Sequence, residues 1–558
     1  MIKPFIKTTR CTVSTLSPVH IGCGEDYYPT NYVIDDGLLH HFSEEGLLAA
    51  LSPSEKNALA KIAEKPNDRN DSGIKELQQF IHSKKDTLQL YATHSVPLSK
   101  ELEKFYQSRI GKTSQREGNG RNINNQLNIA RHAFNPYNQT PYFAGSSIKG
   151  AMRTALLNDI NGGKFLPIRL DANRDAPRGE GDKLQKRLLD YKAIPEDPLR
   201  LLKISDATYQ HPDNLNSAEI RFAVNRKNKE SKFEAKGLNQ LLECLPAHRS
   251  RALTFDVNFL ADEKLAYRWT ERDIIKSCNN FFLPQLENEL EMLQRLNYAN
   301  AEWTTALQKL LDHELGDAFK NQQAFLLRIG QHGGAESNTL DGVRHIKIMQ
   351  GRDNPAKYSD KPTTIWLAAN HKDQQHDLLP FGWVIVEIDD FVLNKTHAFL
   401  KSQAAPDYAR QATLQALAQQ RAEFLAQEQQ KQVQKAQQAA EAAEQERLKQ
   451  AEIDRKAQEL EDTLKNFSEL AQAYFKQTDE HDWENNKDKF LQNGEIENWL
   501  TQLESNNDQE ILTDIVRLLN KHATGLLDNP DKVQGKKAKP VYSDRQRKIA
   551  QRIKALQS

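Results

Sequence analysis

The stretch "GSSIKGAMR", residues 145–153, follows an apolar run and places Gly145, Ser146, Ser147, Lys149, Gly150 and Arg153 where a helix should begin. Gly145 permits a sharp turn, and Ser146 or Ser147 can cap the helix by accepting from its first amides. A helix start offers free N–H groups and partial positive charge. Lys149 and Arg153, four residues apart, share one face near it, so amides and cations converge where a phosphate could sit. The plain alternative is an ordinary strand-to-helix turn with two solvated charges. A nucleotide-binding P-loop is excluded, because Ala151 and Met152 follow Gly150 where that loop needs Lys and Ser or Thr.

Two further loops share this chemistry. "SPVHIGCGEDYYP", residues 17–29, brings His20, Gly22 and Gly24 together with Tyr27 and Tyr28; "RIGQHGG", residues 328–334, brings Gly330, His332, Gly333 and Gly334. A single GxG is weak, and a lone histidine is more often packed than reactive, but three such loops together point to backbone approaching a polyanion at several places. For acid–base work His20, His132 and His332 are the candidates, with Asp206 as an acid. Their spacing defines no constellation, and Asp206 suits a strand end and turn cap at least as well. Cys11, Cys23, Cys244 and Cys278 lie far apart without a CxxC, so neither a disulfide framework nor a zinc site is supported. No metal or cofactor is expected.

The elements that must hold these loops are mixed. Residues 5–16 alternate as a strand, residues 31–42 read as two short strands around an Asp-Gly turn, and residues 52–111 turn helical. Residues 112–125 and 171–183 are polar loops. Further strands are expected in "LLKISDATY", "EIRFAVNRK", "ALTFDVNFL", "AFLLRIG", "VRHIKIM", "TTIWLAA" and "GWVIVEI", with long helices across residues 271–327. This mixture predicts an α+β fold in two units, residues 1–245 and 246–398. From residue 399 Ala, Gln, Glu and Lys dominate, predicting a long helix over 399–466 with too few large apolar residues for a coiled-coil seam. An apolar face begins at Ile453. Residues 467–528 should form a small all-α domain around Trp483, Phe490, Trp499, Leu503, Ile511, Ile515 and Leu519, and 529–558 a basic tail.

At 558 residues the chain needs more than one core. Lys plus Arg and Asp plus Glu both number 76, so net charge argues neither for nor against nucleic acid. No apolar run reaches eighteen residues and the N-terminus lacks an apolar signal core, so a cytoplasmic protein without a membrane partner is expected.

The first loop followed by "YFAGSSIKGAMRTAL" and a late "LRIGQHGG" resembles the RAMP superfamily of CRISPR-Cas proteins, most narrowly the fifth Csm subunit of type III-A effector complexes. That family typically reads close to "IPGSSIKGAIRTAL"; here Phe143 and Ala144 replace Ile-Pro, which removes a rigid proline and keeps the charged turn. The likeness covers roughly residues 9–390, with Arg131 in "LNIARHAF" fitting loosely. It implies two ferredoxin-like (RRM-like) units; the long helix and the small domain that follow them lie outside the likeness. It also implies a non-catalytic subunit that holds the 3′ part of the crRNA, caps the filament and sits beside other Csm subunits and the target RNA. RNA-binding residues carried by this reading are His20, Gly22, Gly24, Arg131, Gly145, Ser146, Ser147, Lys149, Gly150, Arg153, Gly330, Gly333 and Gly334. No aromatic RNP1 pattern is present, so the grip should be mostly through backbone. The competing readings are an endoribonuclease acting on repeat RNA, as in other superfamily members, and a scaffold working through its helical extension.

Overall fold

The computed structural model describes residues 5–65, 72–112, 114–116, 122–124, 127–166, 170–171, 179–209, 218–231, 235, 239–261, 269–349, 355–492, 494–535 and 539–558. The polar loops expected at 112–125 and 171–183 fall largely outside these residues. What is described of them is a short hairpin, Ser114–Arg116 with Asn122–Asn124, and the start of a helix at Glu180.

In chain order the elements that position the glycine loops are strands β1 (Ile6–Thr15), β2 (Gly22–Tyr27) and β3 (Ile129–His132), then helix α1 (Gly145–Asn161). Strands β4 (Leu202–Ile204), β5 (Thr208–Tyr209), β6 (Glu219–Lys227), β7 (Gln240–Cys244) and β8 (Leu253–Leu260) lead to helix α2 (Glu271–Arg295). Strands β9 (Ala324–Arg328), β10 (Thr364–Ala369), β11 (Leu379–Pro380) and β12 (Trp383–Ile388) precede helix α3 (Ala405–Leu464). The mixed α+β character read from the sequence is what the chain adopts.

One sheet has the order β5-β8-β1-β12-β9, with β4 also pairing with β8; a second has the order β11-β10-β6-β7-β3-β2. Each sheet takes strands from both sides of residue 245, so the expected spans 1–245 and 246–398 do not correspond to separate sheets. The physical reason is that β1 at the N-terminus pairs with both β8 and β12 (Val13 with Leu253, Cys11 with Ile388). One apolar core unites the strands with α1, through Ile148, Met152 and Leu156, and with α2, through Ile275, Phe282 and Leu286. The Asp-Gly turn forms as its residues demand: Asp36 and Gly37 both adopt positive φ, +47° and +70°, between paired strands Tyr32–Asp35 and Leu38–His41.

The chain divides into two compact units, residues 1–428 and 429–558. The division lies beyond residue 399 because the first turns of α3 dock on the first unit. Asp407 accepts from Arg249 at 2.8 Å, buried Arg421 donates to the Gln89 carbonyl and to His40 Nδ1, both at 2.7 Å, and Phe424 meets the edge of Tyr91. From Gln429 to Glu459 every residue of α3 is exposed, and Ile453 is itself exposed, so apolar packing resumes at Leu464 rather than at Ile453.

The second unit contains helices α4 (Glu469–Glu480), α5 (Lys487–Gln492), α6 (Glu495–Asn506), α7 (Gln509–His522) and α8 (Asp544–Gln557), with a two-residue hairpin before α8. All seven core residues expected between Trp483 and Leu519 are buried in it. The expected basic tail is corrected: α8 buries Ile549, Ala550 and Ile553 in the same core. Two of its cations are engaged as well, Arg545 with Glu497 at 2.8 Å and Arg552 with Glu504 at 2.7 Å.

Candidate nucleic-acid interface

The first and third glycine loops meet. Gly330 has φ +81°, and a Cβ there would stand 2.3 Å from the His20 carbonyl oxygen, so only glycine lets the third loop lie against the first. The contact is closed by the Gln331 amide donating to that same carbonyl at 2.8 Å. Gly382 repeats the device beneath, with φ +91° and its amide donating to the Pro18 carbonyl.

His132 joins the first loop to the segment entering α1. Its Nδ1 accepts from the Ile21 amide at 3.0 Å, which fixes the proton on Nε2, and Nε2 donates to the Tyr142 carbonyl at 3.0 Å. The ring is fully buried, and that burial, with His20 close by, lowers its pKa to about 3. His20 is equally buried; Nδ1 donates to the Glu243 carbonyl at 2.6 Å, Nε2 has no hydrogen-bond partner, and burial lowers its pKa. His332 is brought to about 4, chiefly by burial and then by His20. All three glycine motifs therefore converge on two internal imidazoles that are neutral near pH 7.

Arg131 is internal too, at 6% exposed. Its guanidinium lies between the rings of Phe134 and Tyr27, 3.6 and 4.5 Å from their centroids, and donates to Gln139 at 2.9 Å and Glu25 at 3.3 Å. Behind it the buried Glu243 carboxylate accepts from the Tyr27 hydroxyl and the His132 amide, and burial raises its pKa against the pull of Arg131. His20 and Arg131 thus shape the loops from within, whereas Gly22, Gly24, Ser146, Arg153 and Gly334 are exposed and Ser147, Lys149 and Gly150 half-exposed.

The start of α1 differs from the sequence expectation. The N-cap is Ala144, without a side-chain cap, and neither Ser146 nor Ser147 serves. The capping carboxylate comes from Asp206, whose Oδ1 accepts from the Gly145 amide at 2.7 Å; this is the structural role of a residue also considered as an acid. Nor does Gly145 supply a left-handed turn. It is needed because a Cβ would lie 2.6 Å from the Ile204 carbonyl and 2.7 Å from that of Ser205. With a carboxylate already on the first amide, the anion-attracting part of this region is the side chains.

Those side chains form a cluster that the linear sequence hides. Lys203, on β4, and Arg153 both stand near enough to Lys149 to depress its pKa, after burial and against Asp197. Among the described residues none of the three cations pairs with a carboxylate. With only Asp197 set against three cations, the net local charge is positive and favours an approaching anion. Lys203 escapes sequence reading because fifty residues separate it from Arg153, and only the approach of β4 to α1 unites them.

Gly150 lies within α1 with nothing within 4 Å of where its Cβ would project. Gly150→Ala should therefore stabilise the first unit by about 0.5–1 kcal/mol, since helix propensity improves without a clash. If RNA backbone approaches that open spot, the same variant should weaken RNA binding. A chemical denaturation curve paired with an RNA titration separates the two effects, and unchanged affinity would remove Gly150 from the interface.

Among the described residues no group of His, Cys, Asp and Glu could hold a metal ion, and no helix is long and apolar enough to cross a membrane. The chain is 28% identical over 299 residues to the CRISPR system Cms protein Csm5 of Methanocaldococcus jannaschii, and 28% identical over 157 residues to that of Streptococcus thermophilus. These matches cover 51% and 27% of this chain but only 63% and 38% of the relatives' own lengths. Among solved structures it is similar to a chain of a Csm–crRNA–target RNA ternary complex of a type III-A CRISPR-Cas system (17% identity, TM-score 0.41, covering 68% of this chain and all of that one). It is also similar to T. onnurineus Csm5 (16%, TM-score 0.38, covering 67% of this chain and 99% of that one). The family description "RAMP superfamily" matches residues 12–312, a span that holds the first glycine loop, His132, the whole of α1 and Lys203. With more than half its length matched, and with two of the three convergent glycine motifs inside the match, the chain belongs to the RAMP superfamily.

Proposed function

We propose that this chain is a non-catalytic RNA-binding subunit of a type III-A CRISPR-Cas (Csm) ribonucleoprotein, holding the 3′ part of the crRNA and capping the effector filament. Its partners are then the crRNA, the target RNA and other Csm subunits. Membership of the superfamily and the likeness to Csm5 proteins support this reading, as does the mixed α+β body, in which two ferredoxin-like units would be intertwined through their strands. The observation that carries it is the cation cluster of Lys149, Arg153 and Lys203 at the start of α1, the helix to whose entry His132 ties the first glycine loop. The non-catalytic part is supported by the histidines: His20 and His132 are buried and engaged in holding loops together.

The test is a salt-dependence titration. Removing one phosphate-binding cation should flatten the slope of log K against log salt by about 0.7 for a single strand. Lys149→Ala with Arg153→Ala should reduce the slope by about 1.4, and adding Lys203→Ala should bring the reduction to about 2. The weakening should be uniform across sequences, because phosphates carry no base identity. An unchanged slope in the folded triple variant overturns the phosphate-site reading.

A further inference from the structure

Strand alternation leaves a second face on the second sheet. Phe222 and Val224 of β6 enter the main core, so Ala223, Asn225 and Lys227 face the other way. There Ala223, Leu242, Cys244, Ala368 and Phe381 form a small apolar floor with Trp366 partly exposed at its margin. The third glycine loop lays His332 on this floor. Its ring is 4.8 Å from that of Trp366 at 33° and 5.4 Å from that of Phe381, and its Nε2 lies 3.2 Å from the exposed Gln240 Oε1. His332 holds this place with φ +64°, an uncommon conformation for a residue with a side chain, so the loop maintains the imidazole there at a backbone cost. Directly across from Trp366 in the sheet register is Asn225, whose buried Oδ1 has no hydrogen-bond partner among the described residues.

Paired rings, an exposed carboxamide, an unsatisfied amide carbonyl and a cation on one sheet face make a set suited to a planar heterocycle carrying donors, acceptors and a phosphate. We infer that Trp366 and His332 form a stacking site for one unpaired base of single-stranded RNA, with Gln240 and Asn225 beside its edge and Lys227 toward its backbone. This deepens the RNA-binding reading and rests on it. The site supplies, through a tryptophan and a histidine from distant segments, the aromatic platform that no linear RNP1 pattern provides. A base stacked here would be bound with little dependence on its identity, because every base has a π-face.

The experiment compares the full chain's affinity for a twelve-nucleotide oligouridylate and for an abasic ribose-phosphate oligomer of the same length, at fixed salt. The wild type should favour the oligouridylate by about tenfold or more. Trp366→Ala should lower affinity for the oligouridylate by about tenfold and leave the abasic oligomer unaffected. Gln240→Ala changes an exposed residue and tests the site without disturbing the floor; it should cut the base preference by a few-fold. Lys149→Ala with Arg153→Ala should weaken both ligands equally. If that double variant behaves so while the wild type shows no base preference, or keeps its full preference in both site variants, the stacking site is overturned and the RNA reading stands. If the wild type binds neither oligomer, both fall together.

Discussion

Lowering the pH from 7 to 5 should unfold the first unit. Eight histidines there, His20, His40, His41, His82, His94, His132, His248 and His332, have pKa values depressed below the ordinary 6.5, in each case chiefly by burial. Those of His40, His41, His248 and His332 fall to about 4, and that of His132 to about 3. Above pH 6.5 both folded and unfolded forms of such a histidine are neutral, and it adds nothing to the pH dependence. Below 6.5 the unfolded chain takes up a proton that the folded chain refuses, so stability falls with pH until the folded value is reached. At pH 5 that amounts to about 2 kcal/mol for each fully depressed histidine. A few of them together match the roughly 5–15 kcal/mol that holds a typical domain. Glu243 and Glu336 act in the opposite sense, since burial raises both and the folded chain protonates them before the unfolded chain does, but they are two groups against eight. Calorimetry of the intact chain at pH 7, 6 and 5 should show a transition of the first unit moving down steeply, whereas residues 429–558 contain none of these eight histidines. A first-unit midpoint that stays within a few degrees across that range would contradict the buried neutral network.

The second large effect belongs to Gly330. Gly330→Ala must place a methyl group 2.3 Å from the His20 carbonyl oxygen, and both partners are backbone, so neither can swing aside. The substitution also forces an L-residue into φ +81°, which alone costs about 1–2 kcal/mol, and it breaks the Gln331-to-His20 hydrogen bond as the loops part. The total should exceed about 4 kcal/mol, the range reserved for a few severe mechanisms. Gly334→Ala is the internal control, with a similar φ of +79° but open space around it, and should cost only the backbone strain. Urea midpoints of the two variants measure the difference. Equal midpoints would mean that the two loops do not touch.

Where chemistry is local, the sequence is a good guide. Sequence pattern marks β1, β6, β8, β9, β10 and β12 but misses β2, β3, β7 and β11 of the second sheet; the Asp-Gly pair marks its hairpin, and the lysine and arginine of "GSSIKGAMR" lie on α1. What escapes it depends on distance through space. Asp206 reaches the Gly145 amide across sixty residues, Lys203 joins Lys149 through β4, and Trp366 meets His332 only because a loop folds over a sheet. Arg131 reads as a cation for RNA, yet the two rings that sandwich it withdraw it from solvent. The basic tail misleads for a different reason. Counting nine Lys or Arg between residues 531 and 558 passes over Ile549, Ala550 and Ile553, whose spacing gives α8 a buried stripe.

The placement of β1 bears on how the chain is made. Its residues 11–15 find their β12 partners only at residues 384–388, so this strand leaves the ribosome about 370 residues before the partner that completes its pairing. At about 5–20 residues per second the wait is roughly 20 to 80 s, during which one edge of the strand is unsatisfied. A nascent chain in that condition calls for a chaperone or for polar shielding. The Thr and Ser residues that alternate with Cys11 and Val13 lower the appetite of the waiting strand for other chains.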